Sequence, residues 1–301
     1  GPRPIDLHLM GLRKLGVSVT ESHGYIICEC DKLIGNEIHL DYPSVGATEN
    51  IMLAAVSAEG ITTIQNAARE PEIIDLQKFL NSLGAKITGA GSSTIRIQGT
   101  KKFFGTEYSV MPDRIVAGTY LVAAAITGGS IILKNVFMEH LKAVIAKLNE
   151  SGSIIRKEDS SIKIKPNGRP SSVELVKTLP YPGFPTDMQA QMMSLMSIAK
   201  GTSVFIETVF ESRYKHAEEL AKMGAKIKID GRTAIIFGVD RLTGAKLTAK
   251  DLRGGAALVL AGLVAEGTSV VENVEPHIER GYENLDEKLR TLGADIKKIR
   301  M

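Results

Sequence analysis

The sequence predicts an α/β protein built from repeated modules of about 70 residues, with helices packed inside and sheets outside. Three observations predict it. First, a leucine-rich helix followed by Leu/Met-Gly-Ala/Val and a β-branched run recurs as GLRKLGVSV, KFLNSLGAKI, ELAKMGAKIKI and KLRTLGADIKKI, with a weaker copy in AKLNESGSII. The glycines of this signature, Gly16, Gly84, Gly152, Gly224 and Gly293, are spaced by 68, 68, 72 and 69. Second, another signature runs in phase with it: a polar helix entrance, a small-residue apolar helix, a glycine, and a strand. Its glycines, Gly60, Gly129, Gly201 and Gly267, are spaced by 69, 72 and 66. Third, the helices of this second signature carry Ala, Met, Leu and Val on nearly all sides (MLAAVSA, YLVAAAI, LVLAGLVA), the mark of a helix buried all round.

Along the chain, each module reads helix, strand, helix, strand and usually a further strand. The copies of the second signature are SVGATENIMLAAVSAEGITTIQNA, DRIVAGTYLVAAAITGGSIILKNV, TDMQAQMMSLMSIAKGTSVFIETV and DLRGGAALVLAGLVAEGTSVVENV. A glycine after each helix suits a left-handed C-terminal cap, and runs such as ITTIQ and SIIL suit buried strands. Ile162 to Lys165 (IKIK) predicts an alternating strand whose lysines form a solvated face. The period is too long for a solenoid and each unit too elaborate for a TIM barrel, which repeats one strand and one helix. The array is ragged: Gly1 falls inside one module and Met301 closes half of another. Residues 1–112 are therefore expected to form a partial first lobe and residues 113–301 a second.

Composition narrows the class. The 301 residues carry 37 Lys and Arg against 34 Asp and Glu, a net charge of +3, too balanced for binding nucleic acid through a basic surface. An apolar content of 44% excludes disorder. The longest apolar stretch, Ala256 to Ala265, has ten residues and is interrupted by Gly262, so no membrane span is expected. Two cysteines, Cys28 and Cys30, give no disulfide framework, and no signal peptide opens the chain; both point to a reducing compartment, the cytoplasm. The alternation in YIICEC reads the two cysteines as small strand residues. The six histidines have no metal-ligand spacing, and there is no GxGxxG after a strand and no Walker loop, so neither metal nor cofactor is expected.

The buried helices open with Ser44 and Gly46, Asp113 and Arg114, Thr186 and Asp187, and Asp251 and Arg253. Ser, Thr and Asp at such places cap helices, and several helix N-termini aimed at one cleft would also favour an anion. Arg3, Arg213, Arg253 and Arg280 stand in loop-like settings (GPRPID, FESRYKH, DLRGG, IERGYE). Each alone reads as a solvated charge; together they fit phosphate or carboxylate oxygens. Asp187 follows two prolines and a glycine in YPGFPTDMQ, and a helix N-terminus is expected to keep it ionised, as a base requires.

The motifs GPRPIDLH, YPSVGATEN, NAAREPEIIDL, MPDRI, YPGFPTDMQAQ, ETVFESR, TAKDLRGGAALVLAGL and HIERGYENLDEKLRTLGA together resemble the UDP-N-acetylglucosamine enolpyruvyl transferases (1-carboxyvinyltransferases) of bacterial peptidoglycan synthesis. The resemblance runs from Gly1 to the C-terminus. It implies an inside-out α/β barrel fold: two lobes, each of three βαβαββ units, closing over a cleft, with the N-terminal lobe incomplete here. It also implies transfer of the enolpyruvyl group of phosphoenolpyruvate to the 3′-hydroxyl of UDP-N-acetylglucosamine, through a tetrahedral intermediate, with release of phosphate. Asp187 matches the family's base at the sugar hydroxyl. Arg213, Arg253 and Arg280 match the arginines around phosphoenolpyruvate. Arg3, Pro4, Ile5, Asp6 and Leu7 match the strip that holds the uridine diphosphate. Tyr42, Pro43, Ser44, Val45 and Gly46 cover further nucleotide contacts, with Tyr42 where some members place a lysine, and Val209 matches a contact to the sugar. The sister enolpyruvylshikimate-phosphate synthases share the repeat fold but not this set of motifs, and a sugar-nucleotide-binding scaffold without chemistry would have no use for Asp187.

Family segments upstream of Gly1 carry a Lys-Asn pair, another arginine, and a loop whose cysteine is the general acid; neither Cys28 nor Cys30 corresponds to it. The chain is thus expected to be a fragment with weak turnover or none. Its shortened first lobe should leave apolar faces uncovered. Hydrogen exchange is then expected to protect residues 1–112 less than residues 113–301, and equal protection would contradict that expectation.

Overall fold

Leu12 and Arg13, near the end of the first helix, show how the repeat is written into the backbone. Helix α1 (Asp6–Lys14) ends with the N–H of Gly16 on the carbonyl of Arg13 and the N–H of Val17 on that of Leu12, each near 3 Å, the two bonds of a Schellman cap. Gly16 supplies the left-handed residue that this cap requires, with φ of 95°. The same pair of bonds recurs at Gly84, Gly152, Gly224 and Gly293, so the first sequence signature is one helix stop used five times. The second signature differs from expectation. Gly60, Gly201 and Gly267 are left-handed too, but they stand several residues beyond their helix ends, Gly60 and Gly201 immediately before the following strand and Gly267 three residues before it. In the remaining copy the left-handed residue is Gly128, the C-cap of its helix, and not Gly129, because that helix runs longer than the others.

The computed structural model describes residues 4–211 and 213–299 and divides the chain into two compact units, Gly1–Met111 and Pro112–Met301. In the first unit, α1 leads into the hairpin β1 (Ser18–Ser22) and β2 (Tyr25–Glu29), turned by His23 and Gly24, both left-handed. One complete βαβαββ module follows: β3 (Glu37–His39), α2 (Val45–Ala55), β4 (Ile61–Gln65), α3 (Pro71–Ser82), β5 (Lys86–Thr88) and β6 (Thr94–Gln98). Its sheet has the order β3-β4-β6-β5, with β3 parallel to β4 and β6 antiparallel to both of its neighbours. The parallel pair needs the α2 crossover, whereas β5 and β6 are joined by a short turn.

The second unit begins with α4 (Arg114–Thr127), β7 (Ile131–Lys134), α5 (Lys142–Glu150), β8 (Ile154–Glu158) and β9 (Ser161–Lys165), forming a three-stranded sheet β7-β9-β8. A second complete module repeats the topology of the first: β10 (Leu175–Lys177), α6 (Gln189–Ser197), β11 (Thr202–Ile206), α7 (Lys215–Lys222), β12 (Lys226–Asp230) and β13 (Thr233–Phe237), in the order β10-β11-β13-β12. Then come β14 (Lys246–Thr248), α8 (Leu252–Gly262), β15 (Val270–Glu272), α9 (Val274–His277) and α10 (Leu285–Thr291), with β14 and β15 parallel. On β9 the expected alternation holds: Ile162 and Ile164 are buried, Lys163 and Lys165 exposed.

Helices α4, α6 and α8 form the inside of this unit. All nine residues of α6 are buried, as are eleven consecutive or near-consecutive residues of α4 between Ile115 and Ile126. Small residues permit the approach. Ser194 of α6 donates to the carbonyl of Ala257 on α8 at 2.9 Å, and a methyl group added at Gly255 would lie 2.8 Å from Ile278 and 3.0 Å from the Ala249 side chain. Helix α2 of the first unit departs from the all-round burial expected of it: Ala47, Thr48, Ile51, Met52 and Ala55 are buried, but Leu53 is half exposed. Gly11 of α1 lets Ile51 pack against the α1 backbone on the buried side. Among the described residues no helix is long and apolar enough to cross a membrane.

Gly255→Val overfills the seat between Ile278 and Ala249. It is expected to destabilise the second unit by about 1–3 kcal/mol, read from the midpoint of urea unfolding at unchanged slope.

Candidate functional site

The second unit gathers its charges at the entrances of the buried helices. Asp113 caps α4 by accepting from the N–H groups of Ile115 and Val116 at 2.7 and 2.9 Å, and Asp251 caps α8 through the N–H of Gly254 at 2.8 Å. Each cap leaves the arginine beside it, Arg114 or Arg253, in the first turn of its helix. Asp187 breaks the pattern. Thr186, Asp187 and Met188 form a short 3-10 turn ahead of α6, and neither Thr186 nor Asp187 caps a helix with its side chain.

The Asp187 carboxylate instead faces cations. Arg213, in the loop before α7, donates to Asp187 Oδ1 through Nη2 and to the Thr186 hydroxyl through Nη1, the latter at 2.8 Å. Arg253 Nε lies 3.7 Å from the same Oδ1. Burial pushes the Asp187 carboxyl up, but Arg213 and Arg253, with a smaller contribution from Arg114, outweigh it and hold the group below the usual aspartate range. The expected direction is right and the cause differs: three guanidinium groups, rather than a helix N-terminus, keep Asp187 ionised. The side chain retains 39% exposure, so it remains open to a ligand. Arg213 also lies over the Phe210 ring at 4.9 Å and Arg253 over the Tyr282 ring at 5.4 Å, and Nη1 of Arg253 is buried without a hydrogen-bond partner.

Glu207 supports this arrangement from below. It is fully buried, and all four of its partners donate to it: Thr178 Oγ1 and the Val209 N–H at 2.8 Å and the Phe210 N–H at 3.1 Å to Oε1, and Thr186 Oγ1 at 2.8 Å to Oε2. One side chain thereby fixes the Thr186–Asp187 turn and the Val209–Phe210 loop together. His216, at the start of α7, is buried against Gly254, and burial lowers its pKa to about 4, so it stays neutral beside Arg213.

The other expected residues are distributed as follows. Val209 sits on the Glu207-bound loop. Arg280 is exposed beyond α9, and no hydrogen bond or ion pair among the described residues joins it to Asp187. Arg3 lies outside the described residues. In the first unit Pro4, Ile5, Asp6 and Leu7 lead into α1, and Tyr42, Pro43, Ser44, Val45 and Gly46 lead into α2, which Ser44 caps through the N–H of Ala47 at 3.3 Å. The two strips are tied by His8, which bonds Asn50 at 2.7 Å and lies over Gly46, where an added methyl would come within 3.1 Å of its ring. Cys28 and Cys30 are exposed free thiols, and among the described residues no cluster of His, Cys, Asp or Glu is arranged to hold a metal ion.

Sequence reasoning missed Glu207, Gln191 and Tyr282 as parts of the site. It met Arg114 only as a helix-entrance residue, although its place after a capping Asp parallels that of Arg253. Glu207→Gln puts an amide N–H₂ among four donors; we expect a loss of about 1–3 kcal/mol in denaturant unfolding of the second unit.

Comparison with known proteins fits this geometry. The family described as EPSP synthase (3-phosphoshikimate 1-carboxyvinyltransferase) matches residues 1–289. UDP-N-acetylglucosamine 1-carboxyvinyltransferase 2 of Caldanaerobacter subterraneus subsp. tengcongensis is 61% identical over 299 residues, covering 99% of this chain and 72% of that protein. The UDP-N-acetylglucosamine 1-carboxyvinyltransferase of Halothermothrix orenii is 56% identical over 300 residues, with 100% and 72% covered. The crystal structure of the enolpyruvyl transferase NikO from Streptomyces tendae superposes with a TM-score of 0.87 at 25% identity, over 98% of this chain and 72% of that one. An EPSP synthase from Acinetobacter baumannii shares the fold, with a TM-score of 0.75 at 21% identity over 97% of this chain and 71% of its own. The fold is that of the enolpyruvyl transferases, and the chain belongs to the UDP-N-acetylglucosamine 1-carboxyvinyltransferase family.

Proposed function

We propose that this protein transfers the enolpyruvyl group of phosphoenolpyruvate to the 3′-hydroxyl of UDP-N-acetylglucosamine and releases phosphate, an early step of peptidoglycan synthesis in the cytoplasm. The observation that carries the reading is the ionised Asp187 clamped by Arg213 and approached by Arg253. Two exposed, unpaired cysteines suit a reducing compartment.

Phosphoenolpyruvate is a compact polyanion, and guanidinium groups match its carboxylate and phosphate oxygens. When it enters, its oxygens compete for Arg213 and Arg253, with Arg280 joining from its exposed position. Asp187 then loses part of the positive field that held its carboxyl down, and its basicity rises where the sugar hydroxyl is to lose a proton. In the reaction the 3′-oxygen bonds to C2 of phosphoenolpyruvate as its proton passes to Asp187, and the C2–C3 electron pair takes a proton at C3. The resulting tetrahedral intermediate expels phosphate by cleavage of its C2–O bond, and loss of a proton from C3 restores the double bond. The cluster supplies the base and the anion clamp; the acid that protonates C3 is not among Asp187, Arg114, Arg213 and Arg253. We assign the nucleotide to Arg3, Pro4, Ile5, Asp6 and Leu7 with Tyr42, Pro43, Ser44, Val45 and Gly46, and a sugar contact to Val209.

Titration calorimetry of the chain with UDP-N-acetylglucosamine should give saturable binding that Asp187→Ala changes only a few-fold. Phosphate release is then measured on a protein extended to the full length of the relatives. There Asp187→Ala should lower turnover by about 100-fold or more. Absence of nucleotide binding, or unchanged turnover in Asp187→Ala, would sink the proposal; binding without any turnover at full length would favour a scaffold instead.

A further inference from the structure

Behind the Asp187 cluster lies a buried polar knot that the reaction does not use directly. Tyr282, in the segment between α9 and α10, is 1% exposed. Its hydroxyl lies 3.1 Å from Thr119 Oγ1 on α4 and 3.2 Å from Gln191 Nε2 on α6. The donors can be assigned by counting protons. Thr119 spends its own hydroxyl proton on the carbonyl of Ile115 at 2.8 Å, so its oxygen accepts from Tyr282, and one Gln191 N–H is shared between Thr119 Oγ1 at 3.1 Å and the Tyr282 oxygen at 3.2 Å. Gln191 has a second N–H, and it goes to the backbone carbonyl of Asp187 at 2.9 Å. One amide thus bonds both the tyrosine and the turn that carries the carboxylate. The face of the Tyr282 ring lies under the Arg253 guanidinium at 5.4 Å. Arg213 is fixed through Thr186 and Asp187, whereas Arg253 contacts Tyr282 and Asp187 and its Nη1 is buried without a hydrogen-bond partner.

We propose that Tyr282 is a positioning residue: anchored by Thr119 and Gln191, its ring seats Arg253 against Asp187. The inference takes from the proposed function only that Asp187 and Arg253 belong to the site. A long side chain placed by its stem alone samples many rotamers. A buried ring held from two helices removes most of them without adding a charge, so Arg253 keeps its full positive field on the carboxylate. The groups facing Asp187 are then Arg213 from the loop before α7, Arg253 from α8 and Arg114 from α4. Of these, the Tyr282 ring lies beneath Arg253.

Titration of Asp187 by carbon-13 NMR of its carboxyl group, in the complete 301-residue chain without substrate, tests this. Asp187→Asn identifies the signal. Tyr282→Phe keeps the volume of the ring and removes the hydroxyl that bonds Thr119 and Gln191 and contacts Arg253, so the fold should survive, as thermal unfolding will show. We expect Tyr282→Phe to raise the Asp187 titration midpoint by a few tenths of a pH unit, Arg253→Gln to raise it by about one unit, and the double variant to match Arg253→Gln alone. A residue with only a packing role would change thermal stability and leave the midpoint in place. An unchanged midpoint in Tyr282→Phe, or a further rise when that change is added to Arg253→Gln, overturns the proposal. Because no substrate enters the measurement, failure of nucleotide binding would overturn the proposed function and leave this result standing.

Discussion

Burial of α4, α6 and α8 on nearly all sides is the constraint from which the rest of the second unit follows. A helix with no solvent face has nowhere to put a polar side chain unless another buried group satisfies it. Thr119 and Ser194 obey this rule, and Gln191 does so through its amide N–H₂, while its Oε1 is buried without a partner. Close approach of the backbones requires small residues, and Gly255 and Ala257 provide them. Charge is therefore displaced to the helix ends. The site is the result of that displacement, because several entrances carry Asp or Arg and the tertiary packing brings them together.

The electrostatics at those ends sort the titratable groups by role. Asp113 and Asp251 accept backbone N–H groups, which commits them to their helices. Asp187 accepts from an arginine side chain, a partner that an incoming anion can draw away. Capping carboxylates are structural for that reason and Asp187 is not, although all three look alike in sequence. His216 makes the complementary point. Buried and neutral beside Arg213, it fills space next to Gly254 without adding to the positive field.

Periodic features were the most legible. The Leu/Met-Gly motif is a local device, completed by hydrogen bonds spanning five residues or fewer, so its five copies could be read directly. The order helix, strand, helix, strand and a further strand could be read in the same way; the leading strand that completes the βαβαββ unit was implied by the family resemblance, and two modules show it. The second signature was legible only in part: its glycines mark left-handed turns, but whether these lie at the helix end or beyond it towards the following strand depends on helix length. Arg213, Arg253 and Asp187 were legible as chemistry because their residue types fit an anion site. Glu207, Gln191 and Tyr282 were not, since each looks like an ordinary strand-end or helix residue until its distant partners are known.

By itself, then, the sequence determined the modular α/β fold, the buried character of the inner helices and the residue types of an anion-binding, proton-accepting site. These depend on periodicity and on chemistry carried within a few residues of chain. Only the tertiary structure decided which carboxylate faces cations and which cap helices. It also decided that Glu207 fixes two loops and that Tyr282 lies under Arg253. Such pairings join residues up to 163 positions apart, as between Thr119 and Tyr282, and a pairing at that distance is set by how the helices pack, not by any local pattern.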